Sequence, residues 1–379
     1  MNDTQTQSPE GKQQGKLTGR VISIDALRGF DMFWIIGGGA IFASLHNALD
    51  NPVTAQIRTQ LTHVKWEGFR FEDLIMPLFL FIVGVVMPYS FAKRLDTSQS
   101  KLRLYLHIIK RTLILFILGM IAQGNLLDYD LSKLHIYSNT LQAIAAGYII
   151  AAIIMLNLGI RWQIAVTGIL LVLFWLLMAL VPVPGYGMGV LTPDGNLAIY
   201  IDRIILGHFI DGTNPPYTWI LSSMTFPCTV MLGVMAGHLL RTDNVGIRKV
   251  LWLLAAGGGF IVAGLLWNLC FPIIKHIWTS SFVLFSGGLC FMLLALFYLV
   301  IDVLGFRKWA FGFVVIGTNA IAVYMAVHII NFRNIGGVFV RGLENYAGNW
   351  YPFIYATAGF AIVWLILWWM YRKKTFIKI

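Results

Sequence analysis

Charge is what this sequence lacks. Of 379 residues only 12% are Asp, Glu, Lys or Arg, against about a quarter in an average soluble domain. That scarcity excludes an ordinary soluble enzyme. The 58% hydrophobic content and mean hydropathy of +0.74 exclude a disordered or collagen-like chain. Cysteine is nearly as scarce. Cys228, Cys270 and Cys290 sit in or beside apolar runs without metal-ligand spacing, so neither a disulfide framework nor a zinc site is implied. No HExxH and no GxSxG occurs, which removes support for zinc-peptidase and nucleophile-elbow chemistry. Acidic residues are few as well: 17 Asp and Glu against 28 Lys and Arg, a net charge of +11. In a soluble chain that excess would suggest nucleic acid. In a chain this apolar it reads as basic loops on one membrane face, and no nucleic-acid partner is expected.

Long apolar runs are what the sequence has. Ten stretches, approximately 26–45, 74–92, 104–122, 140–158, 164–183, 217–240, 250–269, 282–301, 311–330 and 352–371, are near the 20 or so residues a helix needs to cross about 30 Å of hydrocarbon. The expected fold class is an all-α integral membrane protein, a polytopic bundle of about ten transmembrane helices in a lipid bilayer. Residues 1–20 are expected to form a polar cytoplasmic tail, 21–371 the membrane domain, and 372–379 a basic cytoplasmic tail. The first segment lacks the apolar core of a cleavable signal. With both termini in the cytoplasm, 20 of the 28 Lys and Arg lie inside and 8 outside, as the positive-inside bias requires. Ten of the 17 acids lie outside. The inner face is then strongly positive and would attract an anionic ligand, although topology alone produces the same asymmetry. Short tails without targeting segments favour a bacterial inner membrane.

The outer loops 46–73, 184–216 and 331–351 are long enough to carry function. The second, turn-rich and then amphipathic, is expected to fold as a lid on the membrane surface. Two triple-glycine runs, Gly37–Gly39 and Gly257–Gly259, are expected to mark close helix packing or a local break.

Charge at membrane depth needs a reason. Asp25, Arg28 and Asp31 recur every three residues on one helical face. They read either as an ion pair fixing helix depth or as the mouth of a pocket, with Arg28 available to a phosphate. His63 precedes the second apolar run, with Trp66 and Gly68 after it and Asp73 at the helix start. A histidine exchanges protons near neutral pH and a carboxylate can fix its tautomer, yet a surface histidine is more often a bystander. Gln142, the KHIWTSS segment (Lys275, Trp278, Thr279, Ser280, Ser281), Asn319 and Tyr324 are polar groups within or beside apolar runs. Such groups often only join helices.

The motifs then converge. VISIDALRG at 21–29 and HVKWEGFRFEDLIMPLFLFIVG at 63–84, followed by LQAIAAGY, GVLTPDGNLAIYIDR, WTSSFVL and GTNAIAVY, resemble the heparan-alpha-glucosaminide N-acetyltransferase family and its bacterial relatives. The shared pattern is a His, then W-x-G, then D-L-hydrophobic-x-P-x-F-x-F-I-x-G. It is carried here by His63, Trp66, Gly68, Asp73, Leu74, Pro77, Phe79, Phe81, Ile82 and Gly84. The resemblance implies transfer of an acetyl group from cytoplasmic acetyl-CoA to an amino sugar or glycan across the membrane, without a metal. It makes His63 the active-site histidine, as general base or as acetyl carrier, with Asp73 orienting it. Arg28 and Arg111 become candidates for the donor's phosphates. Gln142, Trp278, Thr279, Ser280, Asn319 and Tyr324 become candidates for its arm and thioester, and Trp66, Glu72 and Asp25 for the acceptor. The family often has an Asn before a glycine run at the end of the first span. Here Ile35-Ile36 stands before Gly37; if that Asn assists the amine or the thioester in the family, this chain must use another group or another acceptor. O-acylation of a glycan and a homodimer stay open. The rival reading is a secondary transporter or flippase for a sugar or lipid-linked sugar.

Overall fold

A computed structural model describes residues 21–96 and 101–377 of the chain. The expected tail at 1–20 lies outside the described residues, as do 378 and 379. Among the described residues the chain is helical, and its only bridges are the isolated pairs Glu67–Ile274 and Val183–Gly187. Each apolar run became a helix because helices alone satisfy the backbone internally in lipid. Spans one to eight are Ile22–Leu49, Phe71–Arg94, Lys101–Gln123, Thr140–Asn157, Ile160–Leu180, Leu221–Leu240, Gly246–Asn268 and Ser280–Val303. The ninth is a bent pair, Phe311–Thr318 and Ala320–Ile329, turning 76° at Asn319. The tenth is Tyr351–Arg372. The protein is a multi-pass membrane bundle: among the described residues nine helices are long and apolar enough to cross, or ten if the bent pair is one broken span.

The two triple-glycine runs have different fates. Gly37, at φ 158° and ψ −17°, interrupts the first span within a π-turn at Trp34–Gly38. Gly257 of the seventh span instead faces Gly288 of the eighth, and a Cβ on either would press on the other's carbonyl oxygen. The second and sixth spans are the most enclosed, while the third and seventh are peripheral. Leu102, Leu106 and Leu113 on the third and Leu251, Trp252 and Leu266 on the seventh are exposed apolar residues, the surface a lipid-facing helix presents.

The expected loops are structured. Residues 46–73 include a helix, Pro52–Gln60, started by Pro52 and capped by the Asn51 side chain, which accepts from Thr54 N at 3.0 Å. Residues 184–216 include the helix Leu197–Leu206, capped by Asn196. Asp202 on that helix accepts from the backbone N–H groups of Trp219 (2.7 Å) and Ile220 (3.0 Å). This clamp holds 217–220 out of the sixth span, which therefore starts at Leu221 and not at 217. Residues 331–351 begin with a helix, Phe332–Val340, that packs on the tenth span through Gly336 and Gly359. After Arg372 the chain turns back. Asn319, freed by the bend, donates to Thr375 O (3.1 Å) and accepts from Ile377 N (2.9 Å).

Candidate functional site

The segment between Gln60 and Leu74 wraps around one carboxylate. Gln60 Oε1 accepts from Phe71 N at 3.0 Å. Arg70 Nη1 donates to Thr62 Oγ1 (2.7 Å) and to the carbonyl of His63 (3.2 Å). Asp73, almost fully buried, starts the second span in a 3₁₀ turn, and its Oδ2 accepts from Val64 N (3.3 Å) and Arg70 N (3.0 Å). Its Oδ1 lies 2.9 Å from His63 Nδ1. A carboxylate only accepts, so the proton of neutral His63 sits on Nδ1 and Nε2 is left as the basic atom.

A third member comes from far along the chain. Gly68, at φ 112°, makes a turn whose N–H donates to Ile273 O at 2.9 Å, and Glu67 bridges Ile274. That pairing delivers Lys275, whose Nζ lies 3.4 Å from Asp73 Oδ1 and 3.1 Å from His63 Nδ1. Lys275 and His63 thus converge on one carboxylate oxygen. Burial holds the Lys275 ammonium below its ordinary value, against the opposing pull of Asp73. Next to it, His276 is stacked on Tyr217 (centroids 4.2 Å) and tilted against Trp66 (5.3 Å). Burial, with Lys275 adding to it, pushes His276 down to about 4, so it is neutral at pH 7. Trp66 Nε1 donates to Leu191 O at 2.8 Å, tying segment 184–216 to the His63 loop.

Two cavities enter the bundle. One, of about 710 Å³, is lined by His63, Glu72 and Lys275, with Asp211, Tyr217 and Tyr324 among its other walls. Glu72 Oε2 is buried there without a hydrogen-bond partner. The second, of about 610 Å³, opens among the far ends of the same spans. It carries Arg28, Arg94, His107 and Arg111 around an apolar interior. Arg28 pairs with Asp25 at 2.5 Å, and the Arg111 guanidinium lies over the Tyr148 ring at 4.6 Å.

The cavities nearly meet. On the second span Met76 lines the first and Phe79 the second; on the fourth, Thr140 and Leu141; on the ninth, Tyr324 and Ile321. Three helical residues are about 4.5 Å of axial rise. Beside this level lies a small polar cluster: buried Asn139 Nδ2 donates to Gln123 Oε1 (2.7 Å) and to the Tyr324 hydroxyl (3.0 Å).

The candidates from sequence therefore separate. His63, Asp73 and Glu72 come together at one end, and Arg28 and Arg111 share the other cavity. Asp25 was expected near the acceptor but belongs with Arg28, at the opposite end from His63. Tyr324, expected on the donor's arm, lines the His63 cavity. Trp66 lines neither cavity and braces the lid. Gln142, Trp278, Thr279, Ser280 and Asn319 also line neither. Gln142 spans Ile136 O and Ser138 N, and Trp278 Nε1 donates to Thr229 Oγ1 at 3.1 Å. Thr279 caps the eighth span and Ser280 Oγ donates to Leu171 O at 2.7 Å. Their hydrogen-bonding capacity goes into holding segments together. Lys275, Asp211 and Asn139 were not among the site residues read from sequence. Only tertiary structure joins Lys275 to a carboxylate 202 residues away.

Residues 20–200 match the family model described as heparan-alpha-glucosaminide N-acetyltransferase, catalytic. Over 384 aligned positions the chain is 26% identical to the heparan-alpha-glucosaminide N-acetyltransferase of Homo sapiens, covering 84% of this chain and 55% of that protein. To the Mus musculus protein of the same name it is 25% identical, covering 84% and 56%. The chain spans about half the length of these curated relatives. His63, Asp73, Arg28 and Arg111 all fall inside the matched 20–200 region, so these residues lie where the chain is similar to the heparan-alpha-glucosaminide N-acetyltransferase family.

Proposed function

We propose that this protein is a transmembrane N-acetyltransferase that takes the acetyl group of acetyl-CoA from its basic cavity and delivers it to an amino sugar in the His63 cavity. The observation that carries the reading is the approach of two chemically different cavities, from opposite ends, to within one helical turn. The basic end is assigned to the cytoplasm by the excess of Lys and Arg in the corresponding loops. Three arginines there, Arg28, Arg94 and Arg111, match the charge of a phosphorylated donor, and the apolar interior suits a pantetheine arm. The acceptor amine enters as an ammonium opposite Glu72 and Asp211. His63 Nε2 takes a proton, the amine nitrogen attacks the thioester carbon, the C–N bond forms and the C–S bond breaks. Of the two protons the ammonium sheds, one returns to the thiolate and the other leaves through His63 to the water of the cavity. Asp73 holds the imidazole in the reactive tautomer. Passage of the thioester to the acceptor requires the Tyr324 hydroxyl to leave Asn139.

The test is transfer from labelled acetyl-CoA to glucosamine by purified protein in nanodiscs. His63→Ala is expected to lower turnover by roughly 10²–10⁴-fold with acetyl-CoA binding retained. Full activity in that variant removes the imidazole from the chemistry. The breaks at Gly37 and Asn319 also suit a transporter, because discontinuous helices commonly line transport sites. Glucosamine uptake into proteoliposomes without product acetylation would favour that reading instead.

A further inference from the structure

A third hollow, of about 640 Å³, lies beside the His63 cavity. Its walls are the helix Pro52–Gln60 on one side and the broken first span on the other. Val53, Ile57 and Leu61 face Trp34, Phe42 and Phe71. The polar residues on it are Gln56 and Gln60, and the Gln60 carbonyl is already engaged by Phe71 N. The hollow is therefore an apolar groove.

Its position relative to the cavity is the informative feature. Trp34 lines both. Phe71 lines the groove and its neighbour Glu72 lines the cavity. One indole and one peptide unit are the common wall. The Trp34 and Phe42 rings, from the two sides of the kink at Gly37, meet with centroids 5.5 Å apart. The Trp34 ring also meets Phe71 edge-on at 4.9 Å. On the cavity side Ile35 follows Trp34, so the rim between the two spaces is apolar except for Trp34 Nε1, which is buried without a hydrogen-bond partner. A polar chamber with carboxylates and a base thus continues across an aromatic rim into a hydrocarbon-lined groove.

That continuity matches a molecule with an amine-bearing sugar at one end and a hydrocarbon chain at the other. Resting on the acetyltransferase reading, we propose that the acceptor is an amino sugar borne on a hydrocarbon aglycone, with the sugar at His63 and the chain in the groove between Trp34 and Ile57. Such an acceptor would come from the bilayer and not from bulk water, its amine presented while its tail stays in an apolar surrounding.

The experiment measures kcat/KM for acetylation of methyl, butyl and hexyl glucosaminides, all water-soluble, by the full chain in nanodiscs. Each methylene moved from water to an apolar wall is worth up to about fourfold. Because the groove is open on one side, a rise of at least about tenfold from methyl to hexyl is expected. Ile57→Asp puts a charge in the groove wall. Val53→Asp does the same at a position 68% exposed, where folding is not at stake. Both should flatten the series while leaving the methyl glucosaminide within twofold of the unmodified protein. A flat series in the unmodified protein overturns the proposal and leaves the acetyltransferase reading intact. A rise that survives both substitutions overturns it too, because the tail is then entering the bilayer and not the groove. Failure to acetylate any of the three removes the underlying reading itself.

Discussion

Asp73→Asn tests the arrangement at its centre. The carboxylate accepts two donors on each oxygen: His63 Nδ1 and Lys275 Nζ on Oδ1, Val64 N and Arg70 N on Oδ2. An amide has one accepting oxygen, so its NH₂ must face one of these pairs. Turned toward Oδ2 it strands two backbone N–H groups, each costing roughly 1–3 kcal/mol. Turned toward Oδ1 it faces His63, which can answer by moving its proton to Nε2 and accepting at Nδ1. The second choice spares both backbone N–H groups but takes the Asp73 acceptor from the Lys275 ammonium, and it removes the Nε2 lone pair that the proposed reaction needs. The same exchange in a Ser-His-Asp triad, which likewise inverts the tautomer, costs about 10⁴-fold. Here a loss of roughly 10²–10⁴-fold in kcat is expected. The KM for acetyl-CoA should stay unchanged, since the donor cavity lies at the other end. Initial rates in nanodiscs, with a thermal unfolding midpoint to confirm folding, decide the matter. A folded variant within threefold of the parent would show that His63 does not depend on Asp73 for its tautomer.

Arg28→Ala and Arg111→Ala should each raise the KM for acetyl-CoA by about tenfold or more with little change in kcat, because charge-assisted phosphate contacts contribute roughly 1.5–3 kcal/mol each; steady-state kinetics at fixed ionic strength would show it. Trp66→Phe should cost about 1 kcal/mol by deleting the bond to Leu191, seen as faster amide exchange across 186–206 with activity reduced only several-fold. Two buried groups give opposite pH dependences. Burial raises Asp202 from 3.8 to about 7, so its contribution to stability is complete below its unfolded value and is lost as pH rises toward 7. Asp202→Asn should therefore gain on the parent in thermal midpoint between pH 5 and 8. Burial depresses His276 to about 4, so its contribution is present above about 6.5 and is lost as pH falls toward 4. His276→Phe should lessen the acid sensitivity of the parent in that window.

Much of the fold is legible along the chain because a bilayer imposes one solution on a long apolar run. The long apolar helices follow from length alone, and the glycine runs announce either a break or a close approach. Which of the two occurs depends on the facing helix, and no local pattern reveals that Gly257 meets Gly288 while Gly37 bends the first span. At the site, His63, Glu72 and Asp73 are readable because they fall within ten residues, near the start of one helix. Lys275 is not, since an isolated bridge at Glu67–Ile274 brings it there. The polar groups of Gln142, Trp278, Thr279, Ser280 and Asn319 show the converse. Polarity inside an apolar run looks like a binding function until the partners that consume it are known. Asp25 illustrates a further limit: residue type suggests an acceptor contact, and only its ion pair with Arg28 places it at the basic cavity.

The junction of Gln123, Asn139 and Tyr324 also bears on what this molecule must not do. A bundle hollowed from both ends to within a single turn is close to being a pore. Were the remaining septum to stay open, water and protons would run down whatever gradient the membrane maintains. Two amides and a phenol, all neutral, offer a moving ion no countercharge, and in the proposed reaction they would part for the thioester end of the donor and close once it withdraws. The same few hydrogen bonds would then set both how quickly the acetyl group crosses and how well the membrane stays sealed.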